Sequence, residues 1–209
     1  MQVVSIKAAD SSLVRIGLSD GSIFSFKTVY LPPDFSSGLW AVKGAEISLK
    51  EAESLRFAAG CYRAERAALA LIARAEQTRL GLKAKLARKG INSVYIGAAL
   101  DYLEGLGIIS DERFAALWLE SKLRRVRTGR GGKLCPQKLL ASLLGRSIPS
   151  GIARKALGSA LDSATERALL DSYIAGVFPN FDKGDIFVRQ KLKAAGFSSA
   201  VIRAYWEDM

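Results

Sequence analysis

Leu86-Ala87-Arg88-Lys89-Gly90-Ile91 has the form Leu-x-x-x-(small)-apolar, and the form returns as Leu143-Leu144-Gly145-Arg146-Ser147-Ile148 and as Leu192-Lys193-Ala194-Ala195-Gly196-Phe197. The small residues stand at positions 90, 147 and 196, at intervals of 57 and 49 residues. A period of this length marks a repeated supersecondary unit rather than a heptad or a propeller blade. Each copy has a local physical reason. Four residues after a helical leucine, Gly90 falls where a helix ends in the left-handed conformation, which costs least without a Cβ, and Ile91 can then fold back over the last turn. Gly196 and Phe197 repeat the device. Ser147 stands in for glycine in the middle copy, so either the turn differs there or Gly145 ends the helix instead.

Outward from these joints the apolar spacing is mostly three and four residues. Ala68, Leu71, Ile72 and Ala75 mark one helix, Leu82 and Leu86 a second, and Val94, Ile96, Leu100 and Leu103 a third with Asn92 or Ser93 as its N-cap. Three helices, each of about 10–15 residues, follow from this spacing. In the next repeat Ser110 caps a helix with Phe114, Leu117, Trp118 and Ser121 on one face; a Gly-rich loop, a helix after Pro136 and another after Pro149-Ser150 come next. In the last, Ser163-x-x-Glu166 has the form of a capping box, and Asp182 and Ser198 begin the later helices.

The first thirty residues differ. Val4 and Ile6, then Val14, Ile16 and Leu18, then Ile23 to Phe26 alternate with polar neighbours, and Asp20-Gly21 separates the last two runs, a strong hairpin signal. Pro32-Pro33-Asp34 and Ser36-Ser37-Gly38 break the pattern, and Ser48-x-x-Glu51 opens the helical part with a capping box. The expected organisation is a β-rich module at 1–47 and helical repeats at 48–109, 110–162 and 163–209. The fold class is mainly α, tandem three-helix repeats in a curved array behind a small antiparallel β-hairpin or meander.

With 209 residues and 49% hydrophobic content, the chain can bury a core without disulfides or metal. Its two cysteines, Cys61 and Cys135, lack zinc-ligand spacing and fit a reducing compartment, and there is no histidine. The N-terminus lacks a signal-peptide pattern, and no apolar run approaches the ~18 residues of a membrane span. A cytoplasmic, monomeric protein without membrane attachment or cofactor is expected.

Net charge is +11, and it is unevenly placed. Residues 1–60 hold six basic and six acidic side chains, 61–110 eight and four, 111–162 eleven and four, and 163–209 six and six. The densest cluster is Arg113, Lys122, Arg124, Arg125, Arg127, Arg130, Lys133 and Lys138, joined by Thr128-Gly-Arg-Gly-Gly132. Such a cluster can grip phosphates or carboxylates, and displacing counterions condensed on a polyanion favours nucleic acid. Lys122 and Arg125, with Arg113, are expected off the Phe114/Trp118 face and pointing outward. A second group, Lys83, Lys85, Arg88 and Lys89, occupies the equivalent helix of the first repeat, and Arg189, Lys191 and Lys193 that of the third. Repetition on one kind of element suggests an extended binding surface; a solvated basic face is the plainer alternative.

Catalytic patterns are weak. Gly132-Lys133 is followed by Leu134, and Arg127 stands where a phosphate-binding loop needs its first glycine. Asp111-Glu112 suits the positive end of a helix dipole better than acid–base or metal chemistry. Trp40, Trp118 and Trp206, with Phe24, Phe26 and Tyr30, could stack on bases, but their positions on apolar faces favour core packing.

The stretch Leu106-Gly-Ile-Ile-Ser-Asp111-Glu-Arg-Phe-Ala115-Ala-Leu-Trp-Leu119, followed by Arg124, Gly129, Lys133-Leu134 and Leu139, resembles the signature of the RecX regulatory proteins. The Leu-x-x-x-Gly-Ile joints and Lys191-Leu-Lys-Ala-Ala-Gly-Phe-Ser-Ser199 match as well, so the resemblance covers about residues 60–209. It implies a helical array that binds the filament of the RecA recombinase and restrains its ATP hydrolysis, strand exchange and stimulation of repressor cleavage, with no catalytic residues. It also implies binding to single- or double-stranded DNA. The departures are Ser147 and the β-rich start. A stand-alone DNA- or RNA-binding protein is the alternative function.

Overall fold

The structure, a computed structural model, describes residues 1–8, 13–36, 42–128, 133–181 and 185–207. Trp40, Arg130, Asp182, Ser37-Gly38 and the glycines at 129, 131 and 132 lie outside the described residues. The chain forms two compact units, Met1–Ile109 and Ser110–Met209.

In the N-terminal unit, β1 (Val3–Ala8), β2 (Leu13–Leu18) and β3 (Ile23–Lys27) make an antiparallel sheet in the order β1-β2-β3. The β2–β3 turn is set locally. Gly21 takes φ +85°, and the Ser22 amide donates to Asp20 Oδ1 at 2.9 Å. Alternation sends Val14, Ile16, Leu18 and Phe26 into one core with Ala52, Leu55, Ala58 and Cys61 of α1 (Leu49–Ile72). A second core joins Ala68 of α1 to Leu82 and Leu86 of α2 (Arg79–Arg88) and to Ile96, Leu100 and Leu103 of α3 (Ser93–Gly105).

The 24-residue α1 corrects the expectation of helices of 10–15 residues in this segment. From the Ser48 cap the chain runs unbroken past Gly60, no proline interrupts it, and the Tyr95 ring of α3 lies against that glycine. A Cβ at Gly60 would lie 2.6 Å from the ring, so Gly60 is a place of close approach rather than a helix end. The Ser48–Glu51 capping box is present, and Asn92 rather than Ser93 caps α3 through the Val94 amide.

The side of α1 that faces the sheet carries Glu65, only 2% exposed. Its carboxylate receives the Lys27 ammonium and the Tyr30 hydroxyl, the latter at 2.9 Å. A buried carboxylate is tolerable only when paired in this way. Burial opposes the charged form of Lys27, but hydrogen bonding and attraction to Glu65, with Tyr102 and Tyr62 adding to it, hold its pKa above the usual value. Burial, reinforced by Glu65, likewise raises Tyr30, and burial pushes the Cys61 thiol up to about 11.

The C-terminal unit contains α4 (Asp111–Arg127), α5 (Pro136–Leu144), α6 (Ser150–Ala160), α7 (Ser163–Val177), α8 (Ile186–Ala194) and α9 (Ser199–Glu207). Leu119, Leu139, Leu143, Leu169, Leu170, Val188 and Leu192 meet in one core. On α4 the buried residues are Asp111, Ala115, Leu119, Leu123 and Val126. The expected Phe114/Leu117/Trp118/Ser121 face is therefore displaced. Phe114 and Trp118 border the core, and Leu117 is 50% exposed, because helical spacing extended from Ala115 selects the leucine and valine series.

The repeated joint is realised at four places. Gly90, Ser147 and Gly196 take φ values of +75°, +64° and +89°, and Gly107 takes +68° in the further copy Leu103-Glu-Gly-Leu-Gly107-Ile108. In each, the amide after the left-handed residue reaches back to the leucine carbonyl: Ile91 to Leu86 at 3.3 Å, Ile108 to Leu103 at 2.9 Å, Ile148 to Leu143 at 3.3 Å and Phe197 to Leu192 at 3.2 Å. At the middle joint the turn does not differ and Gly145 does not replace it: Ser147 itself adopts the left-handed conformation, while Gly145, the C-cap of α5, has an ordinary φ of −64°.

Ser163 and Glu166 do not form the expected capping box. Asp162 caps α7 through the Thr165 amide at 2.7 Å, and burial takes Glu166 across to α9, where it accepts the Ser198 amide at 2.6 Å and the Ser198 hydroxyl at 2.8 Å. Ser198 in turn accepts from the Val201 amide at the start of α9. At the start of α8, Asp185 is the N-cap.

Three outcomes are expected. Ser147→Gly relieves the left-handed strain and raises stability by about 0.5–1 kcal/mol, read as a higher urea midpoint with an unchanged slope. Glu166→Ala strands the Ser198 amide and costs about 1–3 kcal/mol in the same assay. Lys27, Tyr30 and Cys61 all have folded-state pKa values above their ordinary ones, so the stability they confer is complete at lower pH and is lost as pH rises, first through the unfolded cysteine value of 9.0 and then through the tyrosine and lysine values of 10.0 and 10.5. Tyr30→Phe should shallow this alkaline decline, which urea midpoints measured across that pH window would reveal.

Candidate interaction surface on α4 and its neighbours

Of the basic residues singled out by sequence, Arg113, Lys122, Arg124, Arg125 and Arg127 lie on α4, Lys133 precedes α5 and Lys138 is on α5. Arg130 lies outside the described residues. Lys83, Lys85 and Arg88 lie on α2, with Lys89 as its C-cap. The α2 and α4 groups belong to different compact units.

On α4 the cations separate by helical phase. Arg113 and Arg124 are three turns apart and share the stripe opposite the buried leucines, with Arg127 close to it. Glu120 falls on the same stripe and moderates its charge. Arg124, Arg125 and Arg127 are exposed and enter no ion pair among the described residues. Bonds from Thr165 hold the exposed Asp162 carboxyl below its usual range, and Arg127, at the far end of the stripe, adds a smaller electrostatic contribution. Planar guanidinium groups left unpaired on a rigid helix are preorganised for phosphate or carboxylate oxygens.

Lys122 does not point away from the aromatic face as expected. One turn beyond Trp118, it places its ammonium 5.4 Å from the ring centre, and Arg146 brings its guanidinium to 4.6 Å. Arg146 also donates to the Ser142 carbonyl at 2.8 Å. Trp118 is half-buried against the core, so it organises cations rather than offering an open stacking face. Sequence reasoning missed Arg146, although its place within the repeated joint, just before Ser147, puts it at the exposed end of a helix.

Lys138 donates to the Lys133 carbonyl at 3.0 Å, which ties the start of α5 to the segment before it. On α2, Lys85 is half-buried and donates to Gln77 at 2.5 Å, while Lys83, Arg88 and Lys89 are exposed. Lys85 therefore serves local structure first, because its phase places it beside buried Leu82 and Leu86.

Behind the α4 stripe, α4 and α6 enclose a groove of 390 Å³ with an apolar floor that includes Leu123, Ile152 and Ala156, bordered by Glu112, Glu120, Arg127 and Lys155. Among the described residues no group of three or more Cys, Asp or Glu side chains is placed to hold a metal ion. Asp111 is buried at the start of α4, Ser110 accepts the Arg113 amide at 3.1 Å, and the Ser110 hydroxyl donates to Glu112 at 3.1 Å, so this carboxylate pair serves the helix end. No described helix is long and apolar enough to cross a membrane.

No family model matches the chain. It is 30% identical over 147 residues to the Regulatory protein RecX of Syntrophotalea carbinolica, an alignment covering 68% of this chain and 92% of that protein. It is 30% identical over 140 residues to the Regulatory protein RecX of Halorhodospira halophila, covering 66% and 83%. A crystal structure of a regulatory protein RecX superposes with a TM-score of 0.68 at 19% identity over 100% of this chain and 99% of that one. The RecX crystal structure from Lactobacillus salivarius gives 0.53 at 22% identity over 71% and 96%. The structural matches establish the fold, and the sequence match along nearly the whole of a named relative establishes descent: the chain belongs to the RecX family of regulatory proteins.

Proposed function

We propose that this chain is a negative modulator of the RecA recombinase, binding the RecA–DNA filament and restraining its ATP hydrolysis, strand exchange and repressor cleavage by occupancy rather than by chemistry of its own. Family membership supports the RecA assignment. The observation that carries the mode of action is the run of exposed cations along α4, of which Arg124 and Arg125 enter no ion pair among the described residues. A filament presents phosphates and acidic side chains at regular intervals, and several weak interactions from helical segments 48–109, 110–162 and 163–209 add by multivalency along such a partner. Arg113, Lys122, Arg124, Arg125, Arg127, Arg130, Lys133 and Lys138 form the principal surface in this reading, with Lys83, Lys85, Arg88 and Lys89 as a second patch. The protein acts as a cytoplasmic monomer in the DNA-damage response.

The test is ATP hydrolysis by the cognate RecA on single-stranded DNA, titrated with this protein and accompanied by a DNA-only binding titration at matched salt. Inhibition is expected well below the amount that coats the DNA. Replacing Arg124, Arg125, Arg127 and Lys133 by glutamine should weaken filament binding and reduce its logarithmic salt slope by about 0.7–0.9 for each phosphate no longer neutralised. Inhibition only at DNA saturation would instead favour the stand-alone nucleic-acid-binding function. Unchanged inhibition by the fourfold variant would remove this surface from the mechanism while leaving the family assignment intact.

A further inference from the structure

Residues 163–209 carry six basic and six acidic side chains, so their net charge is zero despite the basic group Arg189, Lys191 and Lys193. The fold nevertheless gathers three cations at one cleft. Arg189 and Lys193 stand one turn apart on α8, and with Arg203 of α9 they line a cavity of 600 Å³ whose walls include Ile186, Ile202 and Trp206. None of the three cations enters an ion pair among the described residues. Among the described residues one carboxylate, Glu207, shares the lining.

The cleft is organised rather than diffuse. Trp206 holds the Arg189 guanidinium 4.9 Å from its ring centre, which restricts the orientation of the fork. Ile186 is 70% exposed at the mouth, whereas Ile202 is 5% exposed within it. Apolar surface beside converging cations suits a ligand with carboxylates and an aliphatic or aromatic side chain. Nucleic acid fits less well. Arg189 covers one face of the indole, and the rings of Phe181 and Tyr205 stand against it at 5.8 and 5.2 Å, leaving little π surface on which a base could stack.

We propose that the α8–α9 cleft docks an acidic peptide segment of a partner protein, with Arg189, Lys193 and Arg203 receiving its carboxylates and Ile186 and Ile202 receiving an apolar side chain between them. The site is distinct from the α4 surface and does not depend on which protein supplies the peptide.

The experiment titrates the full-length protein into a fluorescein-labelled synthetic peptide of alternating Glu and Leu, followed by anisotropy, with a Gln-for-Glu peptide and labelled oligothymidylate in parallel. The variant Arg189→Gln/Arg203→Gln is compared with Arg124→Gln/Arg125→Gln, which removes the same charge from α4. The cleft variant should weaken binding of the acidic peptide about tenfold or more, and the α4 variant no more than about twofold. The Gln peptide should bind the unaltered protein on the order of tenfold more weakly than the Glu peptide. If loss of Arg189 disturbs the aromatic cluster, seen as a lowered melting temperature, Lys193→Gln alone should still weaken peptide binding several-fold. Equal losses from the two double variants would overturn the proposal, as would an effect of the cleft variant on oligothymidylate with peptide binding unchanged.

Discussion

The interaction on which both units depend is the hydrogen bond that an apolar residue's amide returns to the leucine carbonyl across a left-handed residue. It occurs after Leu86, Leu103, Leu143 and Leu192. In each case it gives the leucine carbonyl a donor from beyond the helix, added at Leu86 and Leu143 to the Lys89 and Arg146 amides, and it turns the chain sharply enough for the next element to pack back. The leucine itself is buried in a core, so the joint couples a backbone hydrogen bond to hydrophobic burial. At Gly196 the joint also brings two chain segments close together: a Cβ there would lie 3.3 Å from both the Gln137 amide nitrogen and Pro136, while the Gln137 amide donates to the Ala195 carbonyl at 3.0 Å. The end of α8 and the start of α5 thereby share one junction.

Two buried carboxylates supply what the joints do not. Glu65 ties α1 to Lys27 on β3 and to Tyr30, and Glu166 ties α7 to the first turn of α9. Each is satisfied by more than one donor, which offsets the desolvation of a charge in an otherwise apolar setting. Both lie in helical phase with buried apolar residues, Glu65 with Ala58, Cys61 and Ala68 and Glu166 with Leu169 and Leu170. Their partners position elements against one another, β3 against α1 and α9 against α7.

Charge is also partitioned by the fold. The cluster around α4 looks like one basic segment in the sequence, yet its cations divide between an outward stripe, the flank of Trp118 and the entry to α5. Lys122 and Arg146 are drawn to an indole, Lys85 to Gln77 and Arg189 to Trp206. Cations held in this way present a charge oriented by a ring or a neighbouring group, whereas Arg124 and Arg125 rely on the helix alone for their direction. A binding surface assembled from both kinds can combine long-range attraction with local fit.

Sequence alone was sufficient for several features whose controlling interaction spans a turn or less, although the local cap at Asp162 and the joint at Gly107 escaped it. The Asp20-Gly21 hairpin, the caps at Ser48, Asn92 and Ser110, and the leucine-spaced joints all depend on chain neighbours, so composition and spacing reveal them. The family resemblance was legible for the same reason, since Asp111-Glu-Arg-Phe-Ala115 is a contiguous segment at a helix start. Tertiary structure decided the rest. Glu65 finds Tyr30 and Lys27 across 35 and 38 residues, and Glu166 finds Ser198 across 32, distances over which local spacing carries no information. The same holds for the close approach of the Tyr95 ring to Gly60 of α1, and for the α8–α9 cleft, where Arg203 joins Arg189 and Lys193 from another helix. Ser147 joins the two levels. The repeat locates the turn, but only packing of Leu143 and Ile148 into the core can hold a serine in a conformation that its own Cβ disfavours.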